Sequence, residues 1–501
     1  MSRSRDLAAV RTQPATTTLG TSNYRAGVNA GNSIASGGNF NVTLGDEAGT
    51  AITTGDNNVA VGYASLDALT TGSTNTGLGS FSLSSNTTAG NNVGVGYFAL
   101  KANTTGASNV AVGTNALDAN TTANHNVAIG GFALGSNTTG ATNTAVGGES
   151  MTANTEGGNN VALGYQSLHD LTTGSNNVAI GYQTLSTEDA HGDNVAVGYQ
   201  SLKTLNAGAD AFNTAVGYQS GTAVTTGVQN TLVGGIAGDA LTDADYNVAV
   251  GHGSLTADTL GSRSVAIGRM ALANQNFTTA TNTYNTAVGY DAGNDVTTGQ
   301  FNTFIGGLAG DRTTTGSNNI CIGMNVDTNA VGTSNAIAIG ETITASDNDF
   351  SFGKASNVVT NDFDADANWS RSSDERLKKN ITNQALGLDF INDLRTVKYN
   401  WKPSAELDAN DAQLAHLREA DDDGNIINHM NTDVTMHNFI AQEVKTALDT
   451  AGVSDFGGWK EDNHGVQQVS REMFVIPLVK AVQELSTKLD AALARIATLE
   501  G

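Results

Sequence analysis

The pentapeptide Asn-Val-Ala-Val-Gly, or a close variant, recurs along most of this 501-residue chain. Its glycines fall at Gly45, Gly62, Gly79, Gly96, Gly113, Gly130, Gly147, Gly164, Gly181 and Gly198, each step 17 residues. The series continues at Gly217, Gly234, Gly251 and Gly268, then at Gly289, Gly306, Gly323 and Gly340. Two steps are longer, 19 residues from 198 to 217 and 21 from 268 to 289, which places insertions within 203–212 and 273–284. A unit this short cannot enclose its own apolar face. Copies at a fixed period can, by stacking Val on Val and Leu on Leu, so the beat predicts a β-solenoid.

Each unit reads the same way. In Asn58-Val59-Ala60-Val61-Gly62 the alternation puts the two valines on one strand face and Ala60 on the other. A Tyr-x-Ser-Leu segment follows, as at Tyr63–Leu66, Tyr165–Leu168 and Tyr199–Leu202, and then a turn such as Thr71-Gly72 or Thr173-Gly174-Ser175-Asn176. Gly and Asn tolerate the left-handed backbone such turns require. Asn58, Asn92, Asn126, Asn160 and Asn194 share one register position and are expected to form side-chain ladders. The chain holds 59 Gly but only 3 Pro, which suits strands that must all donate to a neighbour. No Gly-X-Y period exists, so collagen is excluded.

The formal net charge is −24, with no cluster of Lys and Arg before the C-terminal quarter, which argues against binding nucleic acid through its phosphates. Cys321 is the only cysteine, so neither an internal disulfide nor a cysteine-built zinc cage is available. The calcium nonapeptide G-G-x-G-x-D is absent, because Gly157-Gly158 is followed by Asn159, and no metal or cofactor is expected. The N-terminus, MSRSRDLAAV, lacks the apolar stretch of a signal peptide, and no run of about 18 apolar residues occurs. The expectation is synthesis in a cytoplasm without membrane insertion.

Composition changes near residue 350. Of the 24 Lys and Arg, 15 lie in the last 151 residues, and Trp appears only at Trp369, Trp401 and Trp459. The segment Ser373-Asp374-Glu375-Arg376-Leu377-Lys378-Lys379-Asn380-Ile381 follows. It resembles the hallmark Ser-Asp-x-Arg-x-Lys…Asn-Ile of the intramolecular chaperone domain at the C-terminus of phage endosialidases, tailspikes and fibres. Further stretches are similar to that family in the same order. They are Phe390-Ile391 through Leu394, Val397, Tyr399 and Trp401; then His437–Val444; then Pro477 through Leu485. The repeat, for its part, resembles the left-handed β-roll of trimeric adhesin heads and the shafts of phage fibres.

The chaperone resemblance implies a homotrimer whose C-terminal domain drives the upstream β-structure into register and then removes itself as a serine endopeptidase acting once in cis. It makes Ser373 the nucleophile and Lys378 the base, cutting Ser373–Asp374 or the adjacent bond. A serine hydroxyl needs such a base, and a lysine serves only where burial lowers its pKa. Asp374, Arg376 and Asn380 are expected to position the segment. His437 is expected to pack or hydrogen-bond within the domain rather than to complete a triad.

The last stretch carries a heptad seam at Leu478, Val482, Leu485, Leu489, Ala492, Ile496 and Leu499, readable as a coiled coil or as one face of a core helix. The expected fold is therefore mainly β. Residues 1–39 form an N-terminal segment outside the repeat and a candidate virion attachment site. Residues 40–350 form a parallel β-solenoid shaft, 351–370 a linker or cap, and 371–501 an α+β chaperone whose terminal helix spans 475–500. The expected function is a virion tail fibre, assembled in the host cytoplasm, contacting baseplate or tail proteins and a host cell-surface receptor, with glycan as one class of such receptor. The repeat reads either as a rigid spacer or as a binding surface presenting its two insertions. A bacterial trimeric adhesin and a glycan-degrading tailspike are the alternatives; the second needs paired carboxylates on a distinct catalytic domain, and only repeats lie upstream.

Overall fold

The computed structural model describes residues 20–362, 366–371, 374–421, 424–428, 432 and 435–500. The chain divides between residues 372 and 373 into two units.

In the first unit, three-residue strands stack in parallel and in register, from Tyr24–Ala26 through Ile337–Glu341. Val110, Ala111 and Val112 lie opposite Val127, Ala128 and Ile129 of the next coil. All these pairings run within one chain, so the solenoid coils on itself. The central strand residue points inward and is fully buried at Ala60, Ala111, Ala128, Ala162 and Ala196. Its flanking Val and Ile side chains stack outside the coil and stay half-buried or exposed, as in the pattern of Val195–Val197. Val does stack on Val, but on the outer face. Each coil instead fills its interior with small strand residues and the large side chain of the following corner.

That corner is where the backbone is unusual. Leu66, Leu100, Leu134 and Leu168 are fully buried yet adopt φ of 53°, 55°, 52° and 50°. The left-handed conformation costs an L-residue roughly 1–2 kcal/mol, and burying a leucine returns about 1.5–3 kcal/mol. Where the corner is glycine the strand residue grows to match. Gly221 and Gly238 flank Leu232, and Gly293 and Gly310 flank Phe304, with a Cβ at any of these glycines falling 2.2–2.9 Å from the larger side chain. The period-setting glycines are obligatory for a different reason. Gly113 sits at φ +141°, and a Cβ there would stand 2.4 Å from the carbonyl oxygen of Gly130 in the next coil.

The buried asparagines form a column of mixed bonds. Asn109 Oδ1 accepts the Asn126 backbone N–H at 2.9 Å, and Asn109 Nδ2 donates to the Ala123 carbonyl at 2.8 Å. Side-chain amide bonds join part of this column, Asn58 donating to Asn41 at 3.0 Å and Asn75 to Asn58 at 3.1 Å, and a second column carries a ladder in which Asn120, Asn137 and Asn154 each donate to the asparagine one coil before at 2.8–3.0 Å. An outer column stacks Tyr165, Tyr182, Tyr199 and Tyr218 with ring centroids 5.3–5.7 Å apart.

One boundary differs from the sequence reading. Residues 20–39, expected to stand outside the repeat, form its first coil: Tyr24–Ala26 pairs in parallel with Val42–Leu44. The consensus is masked there because Arg25 takes the inward position, donating from Nη1 to the Gly31 carbonyl at 2.8 Å. Residues 1–19 lie outside the described residues. At the other end, Asp349–Lys354 adds a further parallel strand, and Asn357–Asp362 and Asp366–Arg371 then turn the sheet antiparallel. Of the two readings of 351–370, these strands favour the cap: they continue the sheet and cover its last parallel edge, which would otherwise be open to pairing. Part of the second insertion is ordered as a strand, Thr281–Asn282, pairing in parallel with Gly261–Ser262 of the coil before.

The second unit contains helices α1 (Leu388–Asn392), α2 (Ala441–Thr450) and α3 (Val475–Glu500), with antiparallel pairs Val397–Tyr399/Met436–Asn438 and Trp459–Glu461/Gln467–Val469. Its small core gathers Leu386, Phe390, Val444, Ala447, Leu448 and Phe474. The helix α3 anchors by Pro477 and Ala481, which are buried, and by Glu484, whose Oε2 accepts the Leu388 backbone N–H at 2.8 Å. No helix among the described residues is long and apolar enough to cross a membrane.

Candidate self-cleavage segment

Asp374 opens a single 3-10 turn, Glu375–Leu377, as its N-cap. Its Oδ1 accepts the Arg376 backbone N–H at 2.9 Å, and its Oδ2 accepts Arg376 Nη2 at 2.6 Å. Asx side chains favour this place because they satisfy an otherwise unpaired helix N–H. The Arg376 guanidinium beside Asp374 holds its carboxyl below the ordinary aspartate range. Arg376 and Asp374 therefore brace the turn. Lys378 is the C-cap, its N–H donating to the Glu375 carbonyl at 3.0 Å. Asn380 turns the chain through the left-handed region at φ 57°, which asparagine adopts more readily than most residues.

The expected nucleophile, Ser373, lies outside the described residues, so no Ser373–Lys378 geometry is given. Every described residue from Asp374 to Ile381 is exposed in the single chain, including Lys378 and the apolar Leu377 (67%) and Ile381 (63%).

The other expected signatures fall on regular elements. Phe390 is buried on α1, and Val397 and Tyr399 lie on the strand paired with Met436–Asn438. His437 is opposite Lys398 on that pair. Its side chain is exposed rather than packed, and its contribution is a backbone carbonyl that accepts Arg471 Nη1 at 3.3 Å. Arg395, unremarked in the sequence, ties the segment after α1 to α2 through Glu443, with Nε–Oε2 at 3.1 Å and Nη2–Oε1 at 2.5 Å. This pairing lowers the Glu443 pKa. Because the two residues lie far apart in sequence, no local spacing announced it.

The heptad positions of α3 face water. Leu478, Val482, Leu485, Leu489, Ile496 and Leu499 are 48–79% exposed. Of the two readings of that seam, a core helix of its own unit is therefore set aside.

Residues 373–453 match the family model described as the chaperone of endosialidase, peptidase S74. No curated protein and no solved structure matches the chain. The family match begins at the expected nucleophile and the division between the units, and it covers none of the solenoid. The chain thus joins a parallel β-solenoid to a C-terminal segment that matches the family model of the endosialidase chaperone.

Proposed function

We propose that this chain is the tail-fibre protein of a bacteriophage, trimerised by its C-terminal unit and matured by one self-cleavage through Ser373 and Lys378. The observation that carries the reading is the chaperone-of-endosialidase match placed directly after a solenoid. Two apolar surfaces support assembly: the outward Val and Ile columns of the shaft and the exposed heptad seam of α3. In a trimer, partner copies bury Leu377 and Ile381 and with them Lys378. Desolvation then lowers the lysine pKa and lets Nζ accept the serine proton. The freed shaft presents its surface to a host receptor and is held to the particle through its N-terminal end.

The test is the intact mass of the full chain beside Ser373→Ala and Lys378→Ala. Wild type is expected to separate into the shaft and a fragment beginning at or next to Asp374, while both variants stay whole. Folded, uncleaved wild-type trimers would overturn the peptidase assignment, leaving a permanent trimeric cap. Electron microscopy of lysates from infected cells, with antibody against the shaft, tests the virion placement: labelled tails support it and labelled bacterial envelopes reject it.

A further inference from the structure

We propose that the solenoid carries one site for a zinc-class divalent cation, built from Glu188, Asp189 and His191 at a single corner of one coil. One ligand atom from each of the three lies within 4.8 Å of the others. The site lies in the shaft, away from the self-cleavage segment, and does not depend on the chaperone reading.

Three register columns depart from the repeat together at this coil. The position of Glu188 is Asn at Asn120, Asn137 and Asn154, then Leu at Leu171 and Leu205. The position of Asp189 is Thr at Thr121, Thr138, Thr155 and Thr172. The position of His191 is Gly or Ala at Ala123, Gly140, Gly157 and Gly174. Glu188 keeps the turn bond that Asn86 and Asp258 make, accepting the N–H three residues on, but here the three changes together bring three metal-ligating groups to one corner.

Glu188 is the strongest sign. Its side chain is fully buried, and the residues in its column one coil to either side, Leu171 and Leu205, are fully buried leucines. Oε1 accepts the His191 backbone N–H at 3.1 Å, but Oε2 is buried without a hydrogen-bond partner. A buried carboxylate oxygen without a partner is costly, and a cation is one of the few groups that can satisfy it. His191 Nδ1 is likewise buried without a hydrogen-bond partner, standing 3.3 Å from Glu188 Oε1. In a tetrahedral zinc site, bonds of roughly 2.0–2.2 Å to nitrogen and oxygen hold neighbouring ligand atoms about 3.3 Å apart. One imidazole and two carboxylates suit zinc and its neighbours among the transition metals better than calcium or magnesium, which prefer oxygen alone. Asp189 is exposed and leaves the fourth position to water. The next coil carries the first insertion at this corner, where Asp210 Oδ1 accepts the Gly192 N–H at 3.0 Å. The cation therefore clasps the coil at which the 17-residue stacking is interrupted.

The experiment uses the full chain, with zinc chloride and cobalt chloride as probes. After gel filtration, metal analysis is expected to give one zinc per chain. Cobalt is expected to give the intense visible absorption of a tetrahedral site, and zinc to raise the melting temperature reversibly against EDTA. Glu188→Asn and His191→Gly restore residues that other coils carry in these columns, so the coil keeps its fold, which circular dichroism checks. Each is expected to abolish stoichiometric binding and the zinc-dependent shift. His464→Gln is the control, because His416 and His464 stack at 4.0 Å in the second unit and offer a competing imidazole pair. Wild type without bound metal, His191→Gly binding as wild type does, or loss of binding in His464→Gln alone would each overturn the site.

Discussion

Single side chains in this protein act through their repetition. Asn109 satisfies the Asn126 N–H of the following coil, which has no strand partner for that bond. Asn109→Ala leaves that buried donor unpaired, a cost of about 1–3 kcal/mol. The expected outcome is faster hydrogen exchange at the coils flanking residue 109, with coils near Asn58 unchanged, read by mass spectrometry. Asp327 offers a pH test at the same scale. It is buried, and burial first, then hydrogen bonding to Asp311, raises its pKa well above the ordinary carboxylate value. Its folded form holds a proton that the unfolded chain releases near pH 4. The stabilisation is thus complete below that pH and is lost as pH rises toward the raised folded value. Buried Asp258 carries a raised pKa of the same sign. Melting of the shaft is expected to fall as pH climbs from about 4 toward neutrality, and Asp327→Asn is expected to flatten that slope. Cys321 takes no part: burial pushes its thiol up to about 12, so it is inert to oxidation and alkylation in the folded shaft.

At the scale of elements, the period was legible because each coil repeats a glycine that the close approach of its neighbours demands, as at Gly113 and Gly130. Which strand face turned inward was not. Valine is more apolar than alanine, so hydrophobicity alone argues for burying Val59 and Val61. The interior also has to hold Leu66, and the small Ala60 leaves it room. The left-handed leucines were hidden for a related reason, since local propensity opposes them and only the packed coil supports them. The C-terminal signatures were legible in order, because they map onto α1, one strand pair, α2 and α3. The geometry around Ser373 is not reached, because that residue lies outside the described residues. The exposed seam of α3 gives the matching prediction. Leu485→Asp with Leu489→Asp is expected to convert trimers to monomers in light scattering. The Phe390–Phe474 core should stay folded, because neither leucine belongs to it.

For the whole molecule, the proposed function ties cleavage to assembly. A lysine serves as a base for serine only where its surroundings favour the neutral form, and Lys378 is exposed in the single chain. If partner copies supply its burial, cleavage during refolding is expected to accelerate steeply with protein concentration. The Leu485→Asp, Leu489→Asp chain is then expected to stay whole although its Ser373 and Lys378 are intact. Cleavage at an unchanged rate on dilution would show that one chain buries its own lysine. The fragment's first residue carries further information. Attack by the Ser373 hydroxyl on its own carbonyl closes a strained four-membered ring, whereas attack on the preceding carbonyl closes a five-membered one. A fragment starting at Ser373 therefore marks attack within the chain, and one starting at Asp374 marks a hydroxyl or activated water from outside that residue. Co-assembly of Ser373→Ala with Lys378→Ala chains separates these further. With each dyad inside one copy the mixed trimers stay whole, whereas recovery of cut chains places serine and lysine on different copies, and release of the chaperone then reports that the copies have met in register.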